Sequence, residues 1–174
     1  MILLHRLHWT PVFLPVVVLA LAVAAACGSV QEPLPMAKDF QVTLFDGSEF
    51  HLSEQIGKNV VVLNFWYPSC PPCREEMPAF QEAWQRFEDK DVLFLGVFVP
   101  QGFDSEQDAR DFVQETGLTY HFATDKMARI ALEYRLEYFP KTYFIDRSGR
   151  IFLDMISALD ADEITDVVRA MGQG

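Results

Sequence analysis

The sequence is poor in positive charge. Among 174 residues there are 14 lysines and arginines against 25 aspartates and glutamates, which gives a formal net charge of −11. A protein that binds nucleic acid needs clustered lysine and arginine to neutralise phosphates. The composition therefore argues against a nucleic-acid partner, and acidity alone identifies no other partner.

Cysteine and histidine are also scarce, with three and four copies. A structural zinc site needs about four ligands, usually two C-x-x-C pairs or one such pair with two histidines. The chain has one C-x-x-C pair, Cys70 and Cys73, and its histidines are scattered without ligand spacing. We therefore expect no metal centre and no bound cofactor.

Internal repeats and low-complexity tracts are missing from the sequence. Half of the residues are hydrophobic and 13% are aromatic, a composition that favours a folded core over disorder. A length of 174 residues leaves room for one ordinary domain and a tail. We expect that domain to be monomeric.

The two paired cysteines lie between a predicted strand and a predicted helix. Val60 to Phe65 is an apolar run that only Asn64 interrupts, which is typical of a buried strand. After the pair, apolar residues recur at the spacing of an amphipathic helix: Met77, Phe80, Trp84 and Phe87. Free N–H groups in the first turn of a helix, together with its dipole, favour a thiolate. We therefore predict that Cys70, the more exposed of the two cysteines, is the nucleophile and that Cys73 resolves the mixed disulfide.

Two other interpretations of the pair compete with a redox role. A structural disulfide would close a loop of two residues, and such a short loop adds little chain-entropy stabilisation. Two unreactive core cysteines would not need Pro71 and Pro72 between them, whereas proline suits the first turn of a helix because no intrahelical partner is lost there. These arguments favour a redox-active dithiol.

Residues 1–27 have the pattern of an export signal. Arg6 is the one firmly charged side chain ahead of an apolar run from Pro11 to Ala26, and a basic head, an apolar middle and small residues at the end are typical of secretory signals. Cys27 after three alanines resembles the acylated cysteine of a bacterial lipoprotein, although Ala24 stands where leucine is usual. A cleaved signal and an uncleaved anchor stay open, and all three interpretations place the dithiol outside the cytoplasm.

The rest of the chain is predicted to be a linker over residues 28–37 and a folded domain over residues 38–174. A turn at Asp46-Gly47 predicts a hairpin, and the apolar run Val92 to Val99 predicts a strand parallel to the first buried strand. A helix is predicted from Asp125 to Arg135. The expected fold is α/β, with a central mixed sheet flanked by helices, an N-terminal β-hairpin and a helical insertion in the middle.

With these motifs in place, the chain from about Lys38 to Gly172 resembles the thioredoxin-fold proteins of the TlpA/ResA type. Proteins of this type are exported, membrane-tethered thiol–disulfide oxidoreductases. The matching stretches are Asp39-Phe40 to Asp46-Gly47, Val62 to Trp66, Cys70 to Pro78, and Tyr143 to Asp146 before Ser148-Gly149. The resemblance implies a thioredoxin-like fold and disulfide exchange on exported proteins, with reduction as the favoured direction. It implies as partners disulfide-containing exported proteins, apocytochrome c among them, a transmembrane thiol carrier, and the membrane itself through the N-terminal segment.

The same resemblance implies a substrate surface around the dithiol. It makes Pro140 a cis-proline that faces the cysteines, and the backbone of Phe139 would bond an extended substrate segment as an added strand. Trp66, Pro71 and Pro72 complete the expected surface, with Trp66 also expected to pack near the dithiol. An ordinary trans proline at the start of a strand is the alternative.

The resemblance also implies a proton acceptor close to the resolving cysteine. Thioredoxin carries a buried aspartate where this chain has Asn64, which cannot titrate, and the TlpA/ResA type places a glutamate at the position of Glu76. That carboxylate would take the proton of Cys73. In the alternative, Glu76 is a solvated acid of the first turn, like Glu75. Ser69 departs from the pattern, because tryptophan often stands there.

Two further functions occur on similar folds. A peroxiredoxin usually carries threonine three residues before its reactive cysteine, where this chain has Tyr67. A copper-binding assembly factor uses two cysteines with wider spacing and a distant histidine, for which His121 is the candidate. Neither pattern fits as well as disulfide exchange.

Overall fold

The structure is a computed structural model that describes residues 34–172. A five-stranded sheet of order β5-β4-β3-β6-β7 forms its centre, and a separate hairpin pairs β1 with β2. The strands are β1 Gln41–Thr43, β2 Glu49–His51, β3 Val60–Trp66, β4 Val92–Phe98, β5 His121–Thr124, β6 Lys141–Ile145 and β7 Ile151–Met155. β4 and β5 run parallel to β3, whereas β6 is antiparallel to both β3 and β7. The predicted mixed sheet and hairpin are confirmed.

Helices cover the sheet, and the longest of them follows β3 directly. They are α1 Pro71–Phe87, α2 Glu106–Thr116, α3 Arg129–Glu133 and α4 Ala161–Met171. The β3–α1–β4 unit joins two adjacent parallel strands, as the two apolar runs predicted. This unit places the cysteine pair where a buried strand passes into a helix.

The sheet separates two apolar clusters. Side chains alternate between the faces of a strand, so Val62 and Trp66 of β3 lie in one cluster while Leu63 and Phe65 lie in the other. The first cluster includes both cysteines and residues of α1, α2 and α4, and the second includes the hairpin and α3. Asn64 is two residues from both Val62 and Trp66 on β3, so its polar side chain points to the same face of the sheet as theirs and faces α1.

The predicted helix over Asp125–Arg135 is wrong in its first half. Met127 and Ala128 have φ values of 62° and 52°, which is left-handed backbone, and the chain makes a 3-10 turn before α3 begins. The carboxylate of Asp125 accepts the N–H of Ile130 at 3.0 Å. This capping contact fills the role of a preceding helical turn, so the helix is short.

The start of the described chain is attached to the turn between β6 and β7. The carbonyl of Pro35 accepts the N–H of Ile151 at 2.8 Å, and the N–H of Ala37 donates to Gly149 at 2.9 Å. β6 pairs its last residue with the second residue of β3, so this turn lies at the end of the sheet away from the dithiol. The boundary between linker and domain at residues 37/38 stays a prediction, although these contacts bind residues 35–37 to the fold.

The predicted export signal and Cys27 lie outside the described residues. Within residues 34–172, no helix has the length and apolar character needed to cross a bilayer.

Gly96 in β4 has no room for a side chain. A Cβ built there would lie 2.6 Å from Cε1 of Phe122 and 3.3 Å from Nε1 of Trp66, and both rings are buried against each other. We expect Gly96→Ala to lower the free energy of unfolding by about 1–3 kcal/mol, measured by urea denaturation. Gly172→Ala is the control, since its nearest atom is 3.6 Å away. Equal unfolding midpoints for the two variants would contradict the packing argument.

Candidate active site

Cys70 and Cys73 form a disulfide at the start of α1. Cys70 is the N-cap residue and Cys73 lies in the first turn, with their Cα atoms 5.3 Å apart. Sγ of Cys70 accepts the backbone N–H of Cys73 at 3.3 Å. Because this N–H has no partner within the helix, it is available to a thiolate at Cys70 after reduction.

Both sulfur-bearing side chains are nearly buried. Cys70 is 2% exposed and Cys73 is 0% exposed, so Cys70 is the more exposed of the two, as predicted, by a small margin. The reason is the packing of half-buried Tyr67 and Phe139 against the cluster that contains both cysteines. A substrate must therefore approach through the small opening at Cys70.

The Phe139–Pro140 peptide bond is cis, as the resemblance implied, and the trans alternative is wrong. The ring of Phe139 packs edge-on against Tyr67, with the ring centroids 5.2 Å apart. Tyr67 belongs to the turn that leads from β3 to Cys70. This contact brings the cis-proline segment beside the dithiol.

Trp66 does not belong to a substrate surface. Its side chain is 0% exposed and packs against three buried rings, those of Phe98, Phe112 and Phe122. Placing it among residues that contact substrate was therefore wrong, and its packing role is confirmed. Pro71 and Pro72 are exposed beside the cysteines, so they are accessible to a substrate.

An open groove of about 420 Å³ adjoins Phe139. Leu132, on its wall, is 74% exposed. The other lining residues are Gln101, Ala128, Ala131, Arg135, Leu136 and Glu137. The groove offers an apolar surface next to the cis-proline segment.

Glu76 is buried beneath the dithiol rather than solvated. It is 1% exposed, whereas Glu75 is exposed. Its Oε1 accepts the amide of Asn64 at 2.8 Å and its Oε2 accepts the N–H of Leu159 at 3.3 Å. Burial raises the pKa of Glu76 to about 8, although both hydrogen bonds act in the opposite direction. Tyr120 is buried as well, and its pKa is raised by burial and by the charge of Glu76.

Asn64 connects Glu76 to the strand that follows the cis-proline. Its Nδ2 donates to Oε1 of Glu76 and also to Oγ1 of Thr142 at 3.0 Å, and its Oδ1 is buried without a partner among the described residues. The contact between Asn64 and Glu76 was not predicted from the sequence. A polar residue in the apolar run from Val60 to Phe65 was the available signal. The carboxyl group of α1 thus reaches the side chain of Asn64, the position that holds aspartate in thioredoxin.

The turn before Cys70 is held from two sides. The N–H and hydroxyl of Ser69 both donate to Oδ2 of Asp104, at 3.1 Å and 2.6 Å. Nη1 of Arg74 donates to the carbonyl of Pro68 at 3.3 Å. Asp104 lies in the loop after β4, where residues carry no periodic pattern from which this contact could be predicted.

The chemistry available at this site is the opening and closing of one disulfide bond, which moves two electrons and two protons. On a thioredoxin-like sheet, that chemistry defines a thiol–disulfide oxidoreductase. Residues 34–153 match the model of the AhpC/TSA family, so the chain belongs to that family, and within it to the TlpA/ResA-like type.

Known proteins with similar sequences or structures agree with this class. The chain is 34% identical to the thioredoxin-like protein YneN of Bacillus subtilis over 66% of each chain. It is 28% identical to the thiol-disulfide oxidoreductase ResA of Bacillus thuringiensis over 74% of this chain and 72% of ResA. A putative thiol:disulfide interchange protein DsbE from Chlorobium tepidum superposes with a TM-score of 0.71 at 24% identity, covering 80% of this chain and 97% of that one. This last likeness shows the fold.

The peroxidase and copper-binding alternatives are not favoured. The relatives carry the names of oxidoreductases and thioredoxin-like proteins, and the reactive cysteine is paired with a second one in a disulfide. His121, the third ligand that a copper site would need, packs beside Trp84 with ring centroids 6.3 Å apart. No group of three or more potential ligands is found in the described part of the chain.

Proposed function

We propose that this protein reduces disulfide bonds in exported proteins outside the cytoplasm. The observation that carries the proposal is the Cys70–Cys73 disulfide at the N-terminus of α1, beside the cis-proline segment. The proposed substrates include apocytochrome c, whose haem-attachment cysteines must be reduced. A transmembrane thiol carrier restores the dithiol after each cycle.

Each cycle transfers two electrons to the substrate. The thiolate of Cys70 attacks one sulfur of the substrate disulfide, forming a mixed disulfide and releasing the first substrate thiolate. Cys73 then attacks Sγ of Cys70, which closes the protein disulfide and releases the second substrate sulfur. The two protons of the original dithiol end on the two substrate thiols. The carrier's dithiol reverses these steps and becomes a disulfide itself.

Glu76 handles the proton of Cys73 in this scheme. A proton transfer runs well in both directions when donor and acceptor have similar pKa values. Burial sets the pKa of Glu76 at about 8, close to the value of about 8.5 for an ordinary thiol. The carboxylate can therefore accept the proton as Cys73 attacks, and the acid can return it when the disulfide is reduced.

The substrate segment is proposed to lie across Phe139 and Pro140, with the exposed Pro71 and Pro72 on its other side. The backbone of Phe139 would hydrogen-bond the segment in an extended conformation. The apolar groove beside Phe139 suits a hydrophobic side chain near the substrate cysteine. These roles fit a site that accepts an unfolded or extended polypeptide.

The proposed location rests on residues 1–27. Their basic start, apolar run and small residues favour export, and acylation of Cys27 would attach the protein to the outer face of the membrane. Cleavage at the alanines, or retention as an anchor, would also leave the dithiol outside the cytoplasm.

Trapping of substrates tests the proposal. Cys73→Ser in the full-length chain should accumulate mixed disulfides through Cys70, because the resolving thiol is gone. The adducts are collected from cells under alkylating conditions and identified by mass spectrometry. The double variant Cys70→Ser, Cys73→Ser is the control, since any adduct through Cys27 persists in it. The proposal fails if Cys73→Ser collects no exported protein and the wild-type chain reduces no insulin disulfide.

A further inference from the structure

A carboxylate is fixed beside the residue that precedes the nucleophile. Oδ2 of Asp104 accepts both the backbone N–H and the hydroxyl of Ser69. Ser69 is the position at which this chain departs from the tryptophan of the TlpA/ResA pattern. The serine hydroxyl supplies one of the two bonds, so the contact depends on this departure.

The backbone around Asp104 is itself well held. Its N–H donates to the carbonyl of Gln101 at 3.0 Å, and the next residue, Ser105, caps α2 in a capping box with Asp108. The loop is therefore tied to the start of a helix on one side and to the turn before Cys70 on the other. Such a position keeps the carboxylate in place relative to the dithiol.

Several charged or titratable groups lie close to the nucleophile along the chain or contact the turn before it. Arg74, Glu75 and Glu76 come from α1, Tyr67 from the preceding turn, and Asp104 from the loop after β4. Arg74 holds the carbonyl of Pro68 and lies over the ring of Phe112, 4.5 Å from its centroid. The turn thus lies between one fixed cation and one fixed anion. The cation and the helix N-terminus stabilise a thiolate at Cys70, and the carboxylate of Asp104 opposes them.

We propose that Asp104 is a positioning residue that orients the turn before Cys70 and, by its charge, makes the Cys70–Cys73 dithiol a stronger reductant. A dithiol with a destabilised thiolate gives up its electrons more readily, just as stabilisation of the reduced form makes an oxidant. The proposal rests on the disulfide exchange proposed above and supplies a reason for its reductive direction.

Charge and geometry can be separated at this position. Asparagine in place of Asp104 keeps an oxygen that can accept both bonds from Ser69, so the turn should stay in place. The negative charge is lost. Asp104→Asn therefore tests the electrostatic part of the proposal in a chain that is expected to fold.

The control removes an equal charge far from the dithiol. Asp89 is exposed and follows the last turn of α1. Since α1 has 17 residues, its two ends are about 25 Å apart at the usual rise per residue. Asp89→Asn therefore changes the net charge by the same amount without altering the field at Cys70, which is screened over about 8–10 Å in ordinary buffers.

The experiment compares the full-length wild type with both variants in glutathione redox buffers. We expect Asp104→Asn to shift the equilibrium toward the reduced dithiol by about threefold to tenfold, where tenfold corresponds to about 30 mV. The fraction of Cys70 present as thiolate at pH 7, measured by the rate of alkylation, should rise in parallel. Asp89→Asn should leave both quantities at the wild-type values.

The proposal is overturned if Asp104→Asn folds, as judged by its melting temperature and circular dichroism, and leaves both quantities unchanged. A shift of equal size in Asp89→Asn also overturns it, because net charge would then be the cause. Failure of the proposed function would give a different result. The wild type would then reduce no insulin, while the redox equilibrium of its cysteine pair could still be measured.

Discussion

Replacing Cys70 by serine is expected to abolish insulin reduction, with a loss of at least about a thousandfold in the rate. A serine hydroxyl is a poor nucleophile at neutral pH, and Cys73 is 0% exposed, so it cannot replace Cys70 in the first step. Turnover is measured by the turbidity of the released insulin chains. Cys70→Ser should also form no mixed disulfide with the substrate.

Cys73→Ser is the matched variant, and its reaction should stop at a later step than that of Cys70→Ser. Cys70 still attacks, so one equivalent of substrate becomes covalently attached and the reaction stops there. Nonreducing gels or intact mass spectrometry distinguish this adduct from unreacted protein. An adduct in Cys70→Ser together with none in Cys73→Ser would reverse the assigned roles of the two cysteines.

Glu76→Gln is expected to slow closure of the protein disulfide at pH 7 by about a hundredfold, the low end of the range for a lost acid–base group. Because burial raises the pKa of Glu76 to about 8, the wild-type rate should change with pH around that value. The variant should lose the part of this dependence that Glu76 contributes and keep the part that comes from ionisation of the attacking thiols. The measurement is stopped-flow tryptophan fluorescence during exchange from pH 6 to pH 10.

The same substitution should change how stability depends on pH. The pKa of Glu76 is higher in the folded chain, about 8, than the ordinary glutamate value of 4.5, so between these values the folded state holds a proton that the unfolded state has released. Stability from this group is therefore complete below about pH 4.5 and falls as the pH rises to about 8, by roughly 5 kcal/mol. Glu76→Gln should remove that decline.

Glu75→Gln is the control for both measurements, because Glu75 is the exposed neighbour on the same helical turn. In Glu76→Gln the new amide faces the N–H of Leu159, which costs about 1 kcal/mol of stability. This cost is the same at every pH, so the change of stability with pH can still be compared with the wild type. If the pH profile of exchange and the pH dependence of stability both match the wild type, the proton-transfer role of Glu76 is excluded.

The sequence predicted most of the architecture because its local patterns agree with the tertiary fold. The apolar run from Val60 became β3, and the stripe after Cys73 became the buried face of α1. The prediction failed at Met127 and Ala128, where the backbone is left-handed. Nothing in their side chains indicates that conformation, which depends on a capping contact from Asp125 to α3.

The candidate site was predictable in its chemistry and less so in its environment. Proline and cysteine spacing identified the dithiol, and the resemblance identified Glu76. The contacts that tune these groups join distant parts of the chain: Asn64 to Thr142, and Ser69 to Asp104. Such pairings depend on how β3, β6 and the loop after β4 meet in space, and a single sequence carries no periodic signal for them.

The point where the described chain enters the fold has a mechanical consequence. Residues 35–37 are hydrogen-bonded to the turn between β6 and β7. The seven-residue β3 separates that turn from the dithiol by about 20 Å. A membrane attachment through the residues that precede residue 35 would therefore act at the end of the sheet opposite the reactive sulfurs. The dithiol would then lie at the end of the fold away from that attachment.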